Sequence, residues 1–200
     1  MHGLFDQIRT YFQQGGFVMW PLLVGAALMW YGLGYRVFAL RRGVRMPVRL
    51  LVERYLEGWD RPPEGVLDAA AQRAAQVARE GRRPLRRQLD DALADLHDEM
   101  SRFRTLVRAI VTVAPLTGLL GTVAGMIETF DSLGDMSLYS QSGGIAGGIS
   151  QALFTTQMGL VVAVPGLFIG RILSRKQQSL EMEIARIKDL ICARFAEAGP

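Results

Sequence analysis

The sequence predicts an all-α membrane protein with three transmembrane helices. Three long blocks without a single charge carry this prediction, two of 19 residues and one of 28. A helix of about 20 apolar residues crosses a hydrocarbon core of about 30 Å, so each block is long enough to span a bilayer. The charged residues, 21% of the chain, fall almost entirely between or after the blocks. The predicted spans are residues 17–40, 105–130 and 143–170.

The N-terminal 40 residues are predicted to combine an interfacial segment with a retained span. Within residues 1–16, apolar side chains fall on one helical face, which favours a short amphipathic helix at the membrane surface: Leu4, Phe5, Ile8, Tyr11 and Phe12. The first apolar block has no basic segment before it, and Arg41 and Arg42 follow it directly. These features indicate a span that stays in the membrane rather than a cleaved signal peptide.

Basic residues predict the orientation of the chain in the membrane. Residues 41–104 contain 14 arginines, and the tail 171–200 begins with further basic residues, whereas the connection 131–142 contains none. Short loops rich in Lys and Arg remain in the cytoplasm. Residues 41–104 and 171–200 are therefore expected to be cytoplasmic, and residues 1–16 and 131–142 periplasmic.

Both predicted cytoplasmic regions carry helical patterns. Apolar residues of 84–103 recur at alternating steps of four and three, and no helix breaker precedes the second span, so one continuous helix is predicted there. The tail repeats a heptad pattern at Leu180, Ile184, Ile187 and Ile191. A polar helix with one apolar stripe needs a partner. The second and third spans are thus expected to extend into a cytoplasmic helical bundle, formed within or between subunits.

Small residues follow one face of the second and third spans at steps of three and four. Because small side chains let helices approach closely in lipid, five of them are predicted to be helix-packing residues: Gly118, Gly121, Gly125, Gly148 and Ala152.

The third span also keeps several polar residues within two helical turns: Ser150, Gln151, Thr155, Thr156 and Gln157. An unpaired polar group in apolar surroundings costs roughly 1–3 kcal/mol, so these groups need a protein partner or a wet path. For Thr122 and Thr156, in the interior of their spans, two interpretations remain open. Their hydroxyls either bond to the preceding helical turn at a helix–helix contact, or they face a wet path and have a role in function.

The remaining composition argues against catalysis. The chain has one cysteine, Cys192, and two histidines, His2 and His97, and none lies at metal-ligand spacing with other candidates. Neither a nucleophile elbow nor a phosphate-binding glycine loop occurs. We therefore predict no enzymatic activity, metal or cofactor. The net charge of +4 follows from membrane topology and does not require a nucleic-acid partner.

The three predicted spans resemble those of a known family. Two stretches are similar to the signature spans of the ExbB/TolQ/MotA proton-channel family, and most to those of its ExbB members: APLTGLLGTVAGMIETF (114–130) and GGISQALFTTQMGLVVAVPG (147–166). A third stretch, GGFVMWPLL (15–23), resembles the first span of ExbB-like proteins. Together these stretches touch all three predicted spans, whereas residues 41–104 carry no matching signature.

The resemblance implies a homopentamer in the bacterial inner membrane. Its second and third spans would line a central pore that holds the single spans of an ExbD-like partner. Such a complex uses the proton-motive force to move a TonB-like protein, which energises outer-membrane receptors. The implied partners are thus other copies of the chain, an ExbD-like protein, a TonB-like protein and the lipid bilayer.

The resemblance also implies that Thr122, Thr156 and Gln151 are candidates to line the proton pathway, and helix geometry adds Thr155 to these candidates. Thr122, in the segment GTV, and Thr156 match threonines of the family's pore. Gln151 stands where the family usually has glutamate, and an amide cannot relay a proton. The titrating carboxylate would then belong to the partner, with threonine hydroxyls as donors. Gln151 and Thr156 lie about 140° apart on a helix, whereas Thr155, at about 40°, shares the face of Gln151 better.

Three alternatives accompany this interpretation. A TolQ-like motor for envelope maintenance would differ only in its partners. A MotA-like stator subunit is disfavoured, because four spans are expected there and three are predicted here. The glutamine at position 151 also raises the alternative of a non-conducting membrane scaffold.

Overall fold

The computed structural model describes residues 16–59, 61–80, 84–134 and 142–197. A 3-10 turn at Gly16–Val18 leads into six α-helices: α1 (Met19–Ala39), α2 (Val48–Leu56), α3 (Val66–Glu80), α4 (Leu85–Ser101), α5 (Arg104–Gly134) and α6 (Ser142–Glu197). No strand occurs within the described ranges. Three stretches are long and apolar enough to cross a membrane, within Gly16–Ala39, Leu85–Asp131 and Ala146–Phe195. The predicted all-α fold with three membrane-spanning helices is confirmed. The amphipathic segment and most of the 131–142 connection lie outside the described residues.

The chain divides into two compact units. The first, called the apolar unit, comprises Met1–Leu33 and Leu106–Gly170, and the second, called the polar unit, comprises Gly34–Thr105 and Arg171–Pro200. The helices α1, α5 and α6 contribute residues to both units.

The apolar unit has a small core and a large apolar exterior. Val18 and Leu22 of the first span pack with Ala114 and Ala163. The outward side chains are mostly large and apolar, among them Trp20, Phe130 and Phe168, each about two-thirds exposed. A surface of this kind is stable in hydrocarbon or against another apolar subunit, because exposing so much apolar area to water is unfavourable.

The polar unit is a helical bundle with its own core. Helix α3 packs against both α2 and α4, and its buried face consists largely of alanines, which let neighbouring backbones approach closely. The four heptad residues of α6 are buried: Leu180, Ile184, Ile187 and Ile191. The predicted apolar stripe of this heptad pattern is therefore confirmed, and it is buried by contacts within a single subunit.

A tight connection joins α1 to the start of α3. The backbone N–H groups of Val66 and Leu67 donate to the carbonyls of Arg41 and Arg42, and the buried carboxylate of Asp68 accepts from the N–H groups of Val44 and Glu64. Gly43 lies between these groups with a φ of +89°, and a Cβ there would lie 2.6 Å from Oδ2 of Asp68. Only glycine fits this position without strain.

The predicted continuous helix through residues 84–130 is wrong at one point. Helix α4 ends at Ser101, α5 begins at Arg104, and Phe103 between them has a φ of +61°. This conformation is unfavourable for an aromatic residue, by about 1–3 kcal/mol. It is compensated by tertiary contacts, since the ring of Phe103 meets Tyr35 edge-on at 5.2 Å and Arg102 lies over both rings. No local sequence signal marks this break.

Candidate functional site

The second and third spans, on α5 and α6, form a close antiparallel contact, called here the glycine seam. An added Cβ on Gly118 would lie 2.9 Å from the carbonyl oxygen of Thr155, and one on Gly159 would lie 2.8 Å from that of Ala114. Further along the seam, a Cβ on Gly125 would lie 2.9 Å from the carbonyl oxygen of Gly148. Residue numbers fall on α5 as they rise on α6, so the helices are antiparallel. The backbones touch because no side chain separates them.

All five residues assigned to helix packing from the sequence lie in this seam. Gly121 faces the side chain of Thr155, and a Cβ there would lie 2.5 Å from the Cβ of that threonine. Gly148 faces Thr129, and Ala152 faces Gly125. These are contacts within one subunit, which fixes how its two spans pack and leaves their outer faces for neighbours.

Two threonine hydroxyls in the seam serve the helices themselves. Thr155 is 1% exposed and its Oγ1 donates to the carbonyl of Ala152 at 2.9 Å. Thr129 is also buried, and its Oγ1 donates to the carbonyl of Gly125 at 2.8 Å. Bonds to the preceding turn satisfy both hydroxyls in an apolar setting. Thr155 is thus enclosed between α5 and α6 within the subunit.

Thr122 and Thr156 differ from these two because they are only half-buried. Thr122 Oγ1 donates to the carbonyl of Leu119 at 2.6 Å, within its own helix. Thr156 Oγ1 reaches across the seam and donates to the carbonyl of Gly118 at 3.3 Å. Each oxygen keeps lone pairs that can accept a further hydrogen bond.

Helix geometry places Thr122 and Thr156 on the same flank of the α5–α6 pair. At 100° per residue, each lies about 65° from the centre of its seam face and in the same rotational sense. Because the helices are antiparallel, equal senses bring both residues to one flank, which we call the threonine flank. Leu119, Leu153 and Leu160 also lie there, and all three are about half or more exposed. The flank is an open apolar surface with two hydroxyls.

Gln151 lies on the opposite flank. Its position is about 75° from the seam centre in the other rotational sense, and its Nε2 would lie 2.6 Å from a Cβ added to Gly16 at the start of the first span. On this flank α1 meets α5 around a cavity of about 260 Å³, whose lining includes Gly25, Ile110 and Thr117. The structure therefore brings Thr122 and Thr156 together and separates both from Gln151.

Sequence inspection missed one buried polar network, which lies in the polar unit. Arg36, in the last turns of α1, is 1% exposed, and its Nη2 donates to Oε1 of Gln177 at 2.8 Å. Gln177 Nε2 in turn donates to Oε1 of Glu181 at 2.8 Å. Arg36 lies inside the predicted first span, residues 17–40, and no role was predicted for it from the sequence. The spacing of four between Gln177 and Glu181 is the one signal that pointed to an interaction.

The described residues contain no group of three or more His, Cys, Asp and Glu side chains arranged to hold a metal ion. The polar side chains described above in the seam and on its two flanks are threonine hydroxyls and the amide of Gln151, which exchange hydrogen bonds but do not titrate at physiological pH. On its own this arrangement can orient the ionisable group of another protein or pass on a proton from it. The seam itself contains no carboxylate that could carry a proton.

Comparison with known proteins defines the class of membrane protein. Residues 59–186 match the model of the MotA/TolQ/ExbB proton channel family. The matched region contains α3 to α5, most of α6 and the whole glycine seam. The chain belongs to this family of proton-channel and transport subunits, and the family resemblance of its spans is confirmed.

Individual relatives carry ExbB names. The chain is 34% identical over 188 residues to "Putative biopolymer transport protein ExbB-like 1" of Synechocystis sp., which covers 81% of this chain and 68% of the relative. It is 39% identical over 100 residues to "ExbB-like 3" of the same organism, covering 48% of each chain. The "Biopolymer transport protein ExbB" of Aquifex aeolicus is 34% identical over 83 residues, covering 42% of this chain and 55% of the relative. The chain thus spans about half the length of two of these three relatives.

Proposed function

We propose that this chain is an inner-membrane proton-channel and motor subunit that acts with an ExbD-like single-span partner. The complex couples the proton-motive force to TonB-dependent transport across the outer membrane. The observation that carries this proposal is the threonine flank, where Thr122 and Thr156 offer hydroxyls on an open apolar surface. Copies arranged around one axis, as the homopentamer implied by the family, direct these flanks toward a central path.

The hydroxyls suit a partner carboxyl that alternates between two protonation states. A protonated carboxyl donates to the free lone pairs of Thr122 Oγ1 or Thr156 Oγ1 while both hydroxyls keep their internal bonds. An ionised carboxylate needs donors instead, so a hydroxyl must rotate away from the carbonyl of Leu119 or Gly118. A carboxyl drawn into such an apolar path has its pKa raised by desolvation, which favours uptake of a proton from the outside.

The energies of these steps are compatible with a motor. Exchanging one hydrogen bond for another involves about 0.5–1.5 kcal/mol. Moving one elementary charge through the membrane field supplies about 2.3 kcal/mol per 100 mV. A single proton therefore provides enough free energy to switch a threonine between its two partners.

The arginine-rich polar unit belongs on the cytoplasmic side in this proposal, because the positive-inside rule retains it there. Residues 1–16 and the connection 131–142 are then periplasmic.

The position of Gln151 bears on the alternatives. On the flank of the first span it makes a packing contact near Gly16, so the replacement of glutamate by glutamine removes no group from the threonine flank. This weakens the argument for a non-conducting scaffold. A TolQ-like role remains the alternative within the same class of motor, and it differs in its partners.

The decisive experiment replaces each hydroxyl with a methyl group of similar volume. Thr122→Val and Thr156→Val should each abolish uptake of an outer-membrane receptor's ligand in a deletion strain complemented at matched expression. Thr122→Ser and Thr156→Ser keep the hydroxyl and should retain most of the activity. Gln151→Glu should be tolerated or mildly harmful, since it adds a charge to a packed site.

Native mass measurement of each variant must show the wild-type assembly, so that loss of transport is not loss of the complex. Full uptake by the Thr122→Val, Thr156→Val double variant would contradict the motor proposal and favour a scaffold. Loss of detergent resistance with normal uptake in the deletion strain would instead indicate the TolQ-like pathway.

A further inference from the structure

In the polar unit, the C-terminal part of α6 is flanked on two opposite sides. Glu183 accepts a hydrogen bond from Nη2 of Arg42 at 2.6 Å, which fixes the segment after α1 on one side. Lys188 Nζ donates to Oδ1 of Asp90 at 2.7 Å, which fixes α4 on the other. Glu183 and Lys188 are five residues apart on the helix, about 140° around its axis. The two flanks therefore expose separate surfaces.

The flank at Arg42 contains a basic groove of about 540 Å³. Its lining includes Arg42, Pro47, Arg49, Met182 and Arg186. Of these three arginines, Arg42 pairs with the carboxylate of Glu183, and Arg49 pairs with that of Glu53 at 3.6 Å through an exposed contact. The side chain of Arg49 is 81% exposed, and Met182 is an apolar residue 60% exposed within this polar unit. The groove offers positive charge around an apolar contact point.

The flank at α4 has the complementary character. Asp91, Asp95 and Asp98 follow at steps of four and three, so they lie on one face of the helix, and all three are exposed. The side chain of Asp95 is 88% exposed, and its Oδ2 lies 4.0 Å from Nη1 of Arg73 on α3. Ala94, also exposed, lies at one edge of this face, about 100° around the helix from Asp95. The stripe of three carboxylates extends over about 10 Å of helix beside this small apolar residue.

We propose that the acidic face of α4 in one copy docks into the basic groove of a second copy. Ala94 then receives Met182 of the neighbour, and the aspartates of the stripe pair with Arg49 and Arg186 at the edges of that contact. This inference rests on the proposed homo-oligomer and specifies one of its interfaces. Because each copy carries the groove and the stripe on opposite flanks of α6, the contact is heterologous, which is the type of contact from which a closed ring such as the proposed homo-oligomer is built.

A second copy fits the groove better than an anionic membrane surface does. Lipid headgroups would pair with the arginines but would leave Met182 against polar groups. The α4 face supplies both components, since it combines three carboxylates with an alanine. Repulsion between like charges also disfavours groove-to-groove and stripe-to-stripe contacts, which selects the heterologous arrangement.

Cysteine cross-linking of the full chain in native membranes tests the contact. In a Cys192→Ser background, Ala94→Cys combined with Met182→Cys should give a ladder of cross-linked oligomers with an oxidant or a short bis-maleimide. Each single variant alone should remain uncross-linked, and the two single variants expressed together should give dimers. The matched control is Ala94→Cys with Gln76→Cys, since Gln76 is exposed on α3. It should give no ladder.

Charge reversal adds a second, independent readout. Arg49→Glu with Arg186→Glu should lower the yield of the ladder by about tenfold, and Asp91→Lys with Asp95→Lys should do the same. All four substitutions together should restore it, because complementarity returns with inverted sign.

A ladder absent from the Ala94→Cys, Met182→Cys variant, while native mass shows an intact oligomer, overturns the docking interface and leaves the proposed function standing. A monomeric wild-type protein overturns both. A ladder equal to that of the control, with binding to phosphatidylglycerol vesicles lost in the Arg49→Glu, Arg186→Glu variant, assigns the groove to lipid and also overturns the interface.

Discussion

Adding one methyl group to the glycine seam tests whether backbone contact holds the second and third spans together. A Cβ at Gly159 would lie 2.8 Å from the carbonyl oxygen of Ala114, about 0.6 Å short of the 3.4 Å at which ordinary contact begins. The obstructing atom belongs to helical backbone and cannot rotate away. Gly159→Ala should therefore push α5 and α6 apart by roughly this distance, since interiors have no spare volume.

The separation has a second consequence one turn away. The bond from Thr156 Oγ1 to the carbonyl of Gly118 is already 3.3 Å long, and a shift of this size stretches it to about 3.9 Å, beyond hydrogen-bonding range. Overpacking costs about 1–3 kcal/mol and the lost bond about 1 kcal/mol more. Together these predict a loss of about 2–4 kcal/mol and a fall in Tm on the order of 5–10 °C for a chain of this size.

The measurement is thermal unfolding of the purified protein in detergent, followed by the loss of its native peak on size-exclusion chromatography. Two glycines of α6 provide matched controls. A Cβ on Gly147 would have no atom within 4 Å, and one on Gly170 would meet Val107 at an ordinary 3.8 Å. Gly147→Ala and Gly170→Ala should leave the Tm unchanged or raise it slightly. A Gly159→Ala protein as stable as these controls would refute the argument from backbone contact.

Two further predictions concern the polar unit. Burial, and then the nearby carboxylate of Asp68, raises the pKa of the Tyr55 phenol above its usual 10.0, so the folded state holds this proton more tightly than the unfolded state. The contribution of the protonated phenol to the free energy of unfolding is complete below pH 10 and is lost as pH rises through the folded pKa. Urea unfolding at increasing alkaline pH should show this loss in the wild-type protein and not in Tyr55→Phe. The same dependence of stability on alkaline pH in both proteins would contradict the assignment. Gln177→Leu removes one hydrogen-bond acceptor of buried Arg36 and should lower the free energy of unfolding by about 1.5–3 kcal/mol. Arg36→Met combined with Gln177→Leu should cost less than the sum of the single changes, and strict additivity would show that the two side chains are not coupled.

Two kinds of pattern in the sequence predicted the fold, and the break between α4 and α5 followed from neither. Uncharged blocks of sufficient length are enough to predict three spans, because hydrocarbon excludes unpaired charge whatever the neighbouring helices are. The heptad at Leu180 to Ile191 was equally reliable, because an apolar stripe on a polar helix must be buried. The break at Phe103 was not predictable in this way. Its positive φ is stabilised by Tyr35, a residue distant in sequence.

The candidate site shows the same division. Spacing alone placed Gly118, Gly121 and Gly125 on one face of the second span, since a helix repeats every 3.6 residues whatever it packs against. Only the tertiary structure decided what lies opposite that face, because contact between residues 19 to 45 positions apart depends on how two helices are brought together. The seam encloses Thr155, directs Thr122 and Thr156 to one flank and leaves Gln151 beside the first span. The sequence by itself determined which residues are polar within the membrane, and packing decided which of them remain open to a partner.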